Sequence, residues 1–213
     1  MTNLSNAWPS LPNEERASQR DFGIVACGAL ALHIDAIVKQ LHLDVSIYPL
    51  SPLFHNRPEK IAEEVGQLLT EIAPKHLKLA VAYAECGTYG ALDNILEKHQ
   101  VARLSGDHCY DVFAGQNRIQ GLLAENAGTY FFTDYLVKSF QRSVMVELGL
   151  DRYPGLRDDY FKNYSRVIWL AQEPNAELEI AAEHAAELIG LPLEVIVVGT
   201  DGLASQIIRL VSE

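Results

Sequence analysis

Residues 22–28 read Phe-Gly-Ile-Val-Ala-Cys-Gly, and residues 79–87 read Leu-Ala-Val-Ala-Tyr-Ala-Glu-Cys-Gly. Each stretch is an apolar run that ends in a Cys-Gly pair and precedes a pattern of helical spacing. Continuous apolar runs of this length suit parallel strands that are buried on both faces. The two stretches therefore predict strand-to-helix units of the βαβ type.

The same alternation continues along most of the chain. Six strands are predicted, at Phe22–Ala26, Val45–Leu50, Leu77–Ala84, Val101–Leu104, Val167–Leu170 and Leu193–Val198. Strands that alternate with helices predict an α/β fold with a mostly parallel sheet and helices on both faces, in three layers. We expect one domain over residues 21–213, preceded by a flexible arm over residues 1–20.

The middle of the chain departs from this alternation. The segment from Val112 to Met145 has helical spacing interrupted by glycines, which predicts two or three helices with a turn at residues 127–129. Residues 149–164 are rich in charge and tyrosine. We expect these parts to form a helical excursion from the sheet.

Composition narrows the class of function. The 213 residues contain 17 Lys and Arg against 28 Asp and Glu, a formal net charge of −11. An acidic surface disfavours nucleic acids and anionic membranes as partners. No signal peptide or membrane-spanning stretch is recognised, and the three cysteines contain no CxxC pair. These features predict a cytoplasmic protein whose thiols are free or metal-bound.

The chemistry-bearing residues follow the strands. Ligands of open parallel sheets bind just beyond the carboxyl ends of the strands, and five side chains are expected there: Cys27, His55, Cys86, His108 and Cys109. In one interpretation some of them bind zinc or iron, for which thiolate and imidazole are suitable ligands. In another, Cys86 is a catalytic thiol, activated by the following helix and served by His108 or His55 as base.

Two other interpretations stay open. Free cysteines are often ordinary core residues, so the thiols could simply pack. Glycine-rich turns can also cradle an anion with main-chain N–H groups. Two turns are candidates for binding an anionic substrate or cofactor, one at Gly87, Thr88 and Tyr89 and one at Gly128, Thr129 and Tyr130.

Several longer motifs resemble those of the DUF1638 family of uncharacterised proteins. The resemblance runs from about Phe22 to the C-terminus and rests on residues 26–28, 53–58, 83–87, 107–109, 127–133 and 148–152. It implies a role beside corrinoid-dependent methyl transfer, in one-carbon or methylamine metabolism, and it favours the metal or thiol interpretations.

The leading hypothesis is therefore a metal-binding protein that acts on a small-molecule substrate. One alternative is a non-catalytic accessory protein that binds a corrinoid, a corrinoid protein or a methyltransferase. Another is a metal-free thiol enzyme that uses Cys86. Self-association into a homo-oligomer is left open.

Overall fold

The computed structural model describes residues 21–212, so the predicted arm of residues 1–20 lies outside the described part. The seven strands are β1 (Phe22–Cys27), β2 (Val45–Leu50), β3 (Lys78–Ala82), β4 (Ala102–Arg103), β5 (Thr129–Thr133), β6 (Arg166–Ala171) and β7 (Leu193–Val197). The nine α-helices of this range are α1 (Ala31–Gln40), α2 (Ile61–Ile72), α3 (Ala91–His99), α4 (Cys109–Ala114), α5 (Gln116–Glu125), α6 (Asp134–Phe140), α7 (Arg157–Phe161), α8 (Ala176–Ile189) and α9 (Asp201–Ser212). The predicted α/β class with parallel strands is confirmed.

The strands form two parallel sheets. The first has the order β2-β1-β3-β4 and the second has the order β5-β6-β7. In the first sheet, Phe22–Cys27 pairs in register with Val45–Leu50, and Phe22–Ala26 pairs with Lys78–Ala82. All six residues of β1 are buried, as the apolar run predicts for a central strand.

Strand β5 is the element that the sequence prediction missed. Its residues Thr-Tyr-Phe-Phe-Thr follow the predicted turn at 127–129 and pair with β6 from Thr129 to Thr133. β-branched and aromatic residues favour strands, and here the two phenylalanines are buried on opposite faces. Phe132 packs with α6 and α8, whereas Phe131 packs with Ile119 of α5.

The C-terminal helix links the two sheets. Helix α9 follows β7 of the second sheet, but Leu203, Ile207 and Leu210 of α9 belong to the core around the first sheet. The close approach of α9 to α4 requires a glycine, because a Cβ on Gly202 would lie 2.5 Å from the Phe113 carbonyl oxygen. The predicted excursion at residues 149–164 carries only a short 3-10 turn and α7, and residues 151–160 are exposed.

No helix within residues 21–212 combines the length and the apolar character needed to cross a membrane.

A buried carboxylate joins the ends of β5 and β6. Asp134 is 1% exposed, and its oxygens accept hydrogen bonds from the Trp169 indole at 2.9 Å and from the main-chain N–H groups of Gln172 at 3.1 Å and Glu173 at 2.7 Å. The Gln172 side chain in turn accepts from the Asp134 N–H at 2.8 Å. The side chains of Asp134 and Gln172 together therefore satisfy four donors at this strand end.

We predict that Asp134→Ala lowers the free energy of unfolding by about 3 kcal/mol, because three donors, two of them buried, lose their acceptor. Asp159→Ala is the matched control, since Asp159 is exposed and its ion pair with Lys162 at 3.8 Å is at the surface. The control should cost less than about 0.5 kcal/mol. Urea unfolding measures both, and equal costs would contradict the structural role of Asp134.

Candidate functional site

A cavity of about 310 Å³ lies where the strand-end residues of the first sheet meet β5 of the second. The first sheet and its following loops contribute Ala29, Pro52, His55, Asn56, His108, Cys109 and Tyr110. The second sheet and the segment after it contribute Thr129, Tyr130, Phe131, Thr133, Tyr135, Leu136, Ser143, Val144, Leu148 and Tyr164. Three of the five predicted metal-site residues, His55, His108 and Cys109, therefore share one cavity.

His55 is held in a short 3-10 turn, Pro52–Asn56, directly after β2. Ser51 caps this turn by accepting from the Leu53 N–H at 3.3 Å. The next residue, Asn56, donates from Nδ2 to the Ser143 carbonyl oxygen at 3.0 Å. Ser143 belongs to a π-helical segment, Gln141–Val146, so this bond ties the His55 turn to the opposite wall of the cavity.

The His55 side chain is exposed, but it lies in a concave wall. Desolvation by the surrounding protein lowers the pKa of His55, and the nearby His108 lowers it further because two imidazolium charges would repel each other. The lowered pKa favours the neutral imidazole of His55.

His108 and Cys109 open helix α4. Asp111 fixes this start by accepting from the N–H groups of Asp107 and His108, both at 2.9 Å. The His108 ring stacks on Tyr110 with the ring centres 4.7 Å apart, and Tyr110 contacts Phe131 of β5 at 5.0 Å. A continuous aromatic contact thus runs from the first sheet to the second.

The other two cysteines lie beside the cavity rather than in its wall. The Cys86 N–H donates to the Asp107 carbonyl oxygen at 2.7 Å, which places Cys86 beside the loop that carries Cys109. Burial raises the pKa of all three thiols, that of Cys109 to about 12, and the thiols are close enough for charge on one to disfavour charge on another. The buried Tyr83 hydroxyl makes no standard hydrogen bond to the described residues, although the Cys27 thiol interacts with it.

The described residues do not fit a resident metal ion. Within residues 21–212, no group of three or more His, Cys, Asp or Glu side chains is arranged to hold one. The three thiols are neighbours, as predicted from their strand ends, but they do not converge with His55 and His108 on one coordination centre.

The predicted activation of Cys86 depended on a helix that begins directly after it. Helix α3 begins at Ala91, with Gly90 as its N-cap, so Cys86 lies several residues before the helix rather than at its N-terminus. Cys86 has a left-handed main chain with φ of 52°, and burial raises the pKa of its thiol well above the ordinary value, with further contributions from Cys109 and Cys27. A thiolate nucleophile needs a lowered thiol pKa instead.

The turn after Cys86 does bind an anion through its N–H groups, but this anion is the carboxylate of Glu85 in the same chain. Glu85 accepts from the N–H groups of Gly87 at 2.8 Å and Gly90 at 3.1 Å, and from the Thr88 hydroxyl at 2.7 Å. These bonds lower the pKa of Glu85 despite partial desolvation. In the turn that was predicted to bind an anionic ligand through Gly87, Thr88 and Tyr89, Glu85 therefore uses the Gly87 N–H and the Thr88 hydroxyl, and the Tyr89 side chain points to solvent, 96% exposed.

The second turn that was predicted to bind an anion also makes hydrogen bonds within the chain. The Gly128 N–H donates to Asn126 Oδ1 at 2.9 Å, and the Thr129 hydroxyl donates to the Asn126 carbonyl oxygen at 2.7 Å. Thr129 and Tyr130 do line the cavity, but as residues of strand β5 rather than as a turn.

The sequence did not predict most of the cavity residues that come from the second sheet and the segment after it. Tyr135, Ser143 and Tyr164 line the cavity, and none of them lies at the end of a predicted strand. Asn56 stood inside one of the motifs of the family resemblance, which was the available signal for its role beside His55.

Comparisons with known proteins gave one match. A family model described as "Protein of unknown function (DUF1638)" matches residues 50–207, so the predicted resemblance is confirmed there, while residues 22–49 lie outside the matched range. No curated protein and no solved structure matches the chain.

We predict that Cys86 and Cys109 react with iodoacetamide at pH 7.5 at least about tenfold more slowly than an exposed cysteine, because raised pKa values leave little thiolate. Ser205→Cys supplies the reference in the same chain, since residue 205 lies on the exposed side of α9. Mass spectrometry of the labelled peptides gives the rates. Labelling of Cys86 as fast as of the introduced thiol would restore the thiol-enzyme hypothesis.

We also predict that stability falls as the pH drops from 7.5 to 5.5, in part through His55. The unfolded chain, with an ordinary imidazole pKa near 6.5, takes up the proton at a higher pH than folded His55, so acid favours unfolding. In His55→Gln this fall, measured as the change in melting temperature, should be smaller. His184→Gln, at an exposed position of α8, should behave like the unaltered protein, and an unchanged fall in His55→Gln would refute the assignment.

Proposed function

The chain belongs to the DUF1638 family, and from the geometry of its cavity we propose that it binds a small, uncharged organic molecule there. The observation that carries this proposal is the composition of the cavity wall. Among residues 21–212, no Asp, Glu, Lys or Arg side chain lines the cavity, and the lowered pKa of His55 favours its neutral form.

A ligand with a full charge would lose its hydration in this cavity without gaining a partner of opposite charge. Burial of an unpaired charge is strongly unfavourable. An uncharged ligand avoids this cost and gains contacts with the tyrosine rings. Hydroxyl, amide and imidazole groups of the wall, such as those of Tyr135, Asn56 and His55, can fix its orientation.

The volume limits the size of the ligand. At about 310 Å³ the cavity stands at the lower end of the range of ligand pockets. This size supports a small molecule held mostly inside the wall, in agreement with the predicted small-molecule substrate.

His55 and His108 are the groups of the wall best suited to act on a bound ligand. Imidazole can exchange a proton near neutral pH, and the two rings come from different loops of the first sheet. We propose that one of them gives or takes a proton while the other hydrogen-bonds the ligand. Cys109 also lines the cavity, but its thiol, with a pKa of about 12, is a hydrogen-bonding group rather than a nucleophile.

The predicted partners stay predictions. The corrinoid, the corrinoid protein and the methyltransferase came from the resemblance, and the family description names none of them. The same holds for zinc or iron, for self-association and for the cytoplasmic location. No step of the proposed function is routed through a metal or a corrinoid.

A fragment library of uncharged small molecules tests the proposal by ligand-observed NMR. Ala29→Leu adds volume to a residue of the cavity wall, whereas Ala124→Leu makes the same change at an exposed position of α5. We expect fragments to bind the unaltered protein and Ala124→Leu with equal affinity, and Ala29→Leu at least about tenfold more weakly. Equal binding to all three proteins would place the fragments elsewhere and sink the proposal.

A further inference from the structure

The cavity is bounded by an unpaired strand edge. Strand β5 lies at the end of the second sheet and pairs only with β6. Thr129, Tyr130, Phe131 and Thr133 of β5 line the cavity, whereas Phe132, in the middle of the same strand, does not.

The pairing pattern shows which main-chain groups of β5 face outward. The Arg166 N–H donates to the Gly128 carbonyl oxygen at 3.4 Å, while the Val167 N–H donates to Pro192 on the β7 side at 2.8 Å. In a parallel ladder successive residues alternate between the two sides of a strand. Gly128, Tyr130 and Phe132 therefore face β6, and Phe131 directs its N–H and its C=O away from β6, toward the outer edge.

The outward N–H and C=O groups of Phe131 are unpaired among the described residues. Neither its N–H nor its C=O has a hydrogen-bond partner off the sheet among residues 21–212, although its side chain is buried against Tyr110. A buried residue with an unused donor and an unused acceptor on a cavity wall calls for a partner.

We infer that the ligand carries a neutral peptide unit, –NH–CHR–CO–, which pairs with Phe131 as an added strand residue would. The ligand C=O accepts from the Phe131 N–H and the ligand N–H donates to the Phe131 C=O, the exchange that two opposed residues make in an antiparallel ladder. The inference rests on the proposed function and names the chemical class of its ligand.

The wall and the volume define the rest of this ligand. A free amino acid or an unblocked dipeptide carries an ammonium and a carboxylate, for which the described residues of the wall offer no charged partner. A blocked, dipeptide-sized molecule has neither charge. Its side chain R would lie among the aromatic rings of the wall, of which Tyr110 and Tyr164 come from opposite sheets.

The test uses N-acetyl-L-leucine N′-methylamide, with binding measured by ligand-observed NMR and isothermal titration. Its matched analogue replaces the acetyl-amide N–H by an ester oxygen, which removes only the donor to the Phe131 C=O. We expect the ester to bind about tenfold more weakly, as for the loss of one hydrogen bond. Equal affinities, or no binding of the amide, would overturn the inference.

Two variants test the same pairing from the protein side. Phe131→Pro removes the outward N–H and leaves the β5–β6 ladder intact, because an edge strand tolerates proline where the N–H points away from the sheet. Phe131→Leu keeps the N–H and controls for the lost ring. We expect Phe131→Leu to bind the amide and Phe131→Pro to bind it about tenfold more weakly than Phe131→Leu.

The results separate this inference from the proposed function. Circular dichroism shows whether Phe131→Pro folds, and if it does not, the amide and ester comparison on the unaltered protein decides alone. Fragments that bind the cavity without preferring the amide would overturn the peptide-unit inference and leave the proposed function standing. Fragments that also bind Ala29→Leu unchanged would remove both.

Discussion

The parallel pairing of β1 with β2 and β3 is the constraint on which the site depends. Its register makes three strands end at one edge, so the loops that follow them converge although they are far apart in sequence. His55 follows β2, and the turn that carries Cys86 bonds through its main chain to Asp107. The helix that begins at Cys109 then brings Tyr110 against Phe131 of β5, so the same edge also meets the second sheet.

Much of this could be predicted from the sequence, because long-range order here follows from local patterns. Apolar runs such as residues 22–26 indicate the strands of the first sheet. Because parallel strands end at the same edge of a sheet, their ends come together whatever the order of the strands. The second wall could not be predicted in this way. The segment around Phe131 and Phe132 lies among residues of helical spacing, and only its pairing with Ile168 and Trp169 makes it a strand. The residues of this segment do favour a strand, but the helical spacing of the residues on either side conceals it.

The thiols show a second limit of local reasoning. A cysteine followed by glycine and then by a helix suggests a lowered pKa, but the pKa depends on how far the helix lies and how deeply the sulfur is buried. At Cys86 the helix begins too far along the chain to lower the pKa of the thiol, and the burial of the sulfur raises that pKa. The glycines that suggested a ligand-binding turn donate instead to an anion of the chain itself, because the Glu85 carboxylate accepts from the N–H groups of Gly87 and Gly90. The sequence identified an anion-binding turn and could not identify which carboxylate fills it.

The return of α9 to the first sheet has a consequence for biosynthesis. A ribosome releases the strands of the first sheet early, but Leu203, Ile207 and Leu210, which complete their core, emerge only after all the strands of the second sheet. The nascent chain must therefore keep an apolar face uncovered until α9 has been synthesised. Chaperone binding during synthesis, and degradation of chains that stop before residue 201, would follow from where this one helix packs.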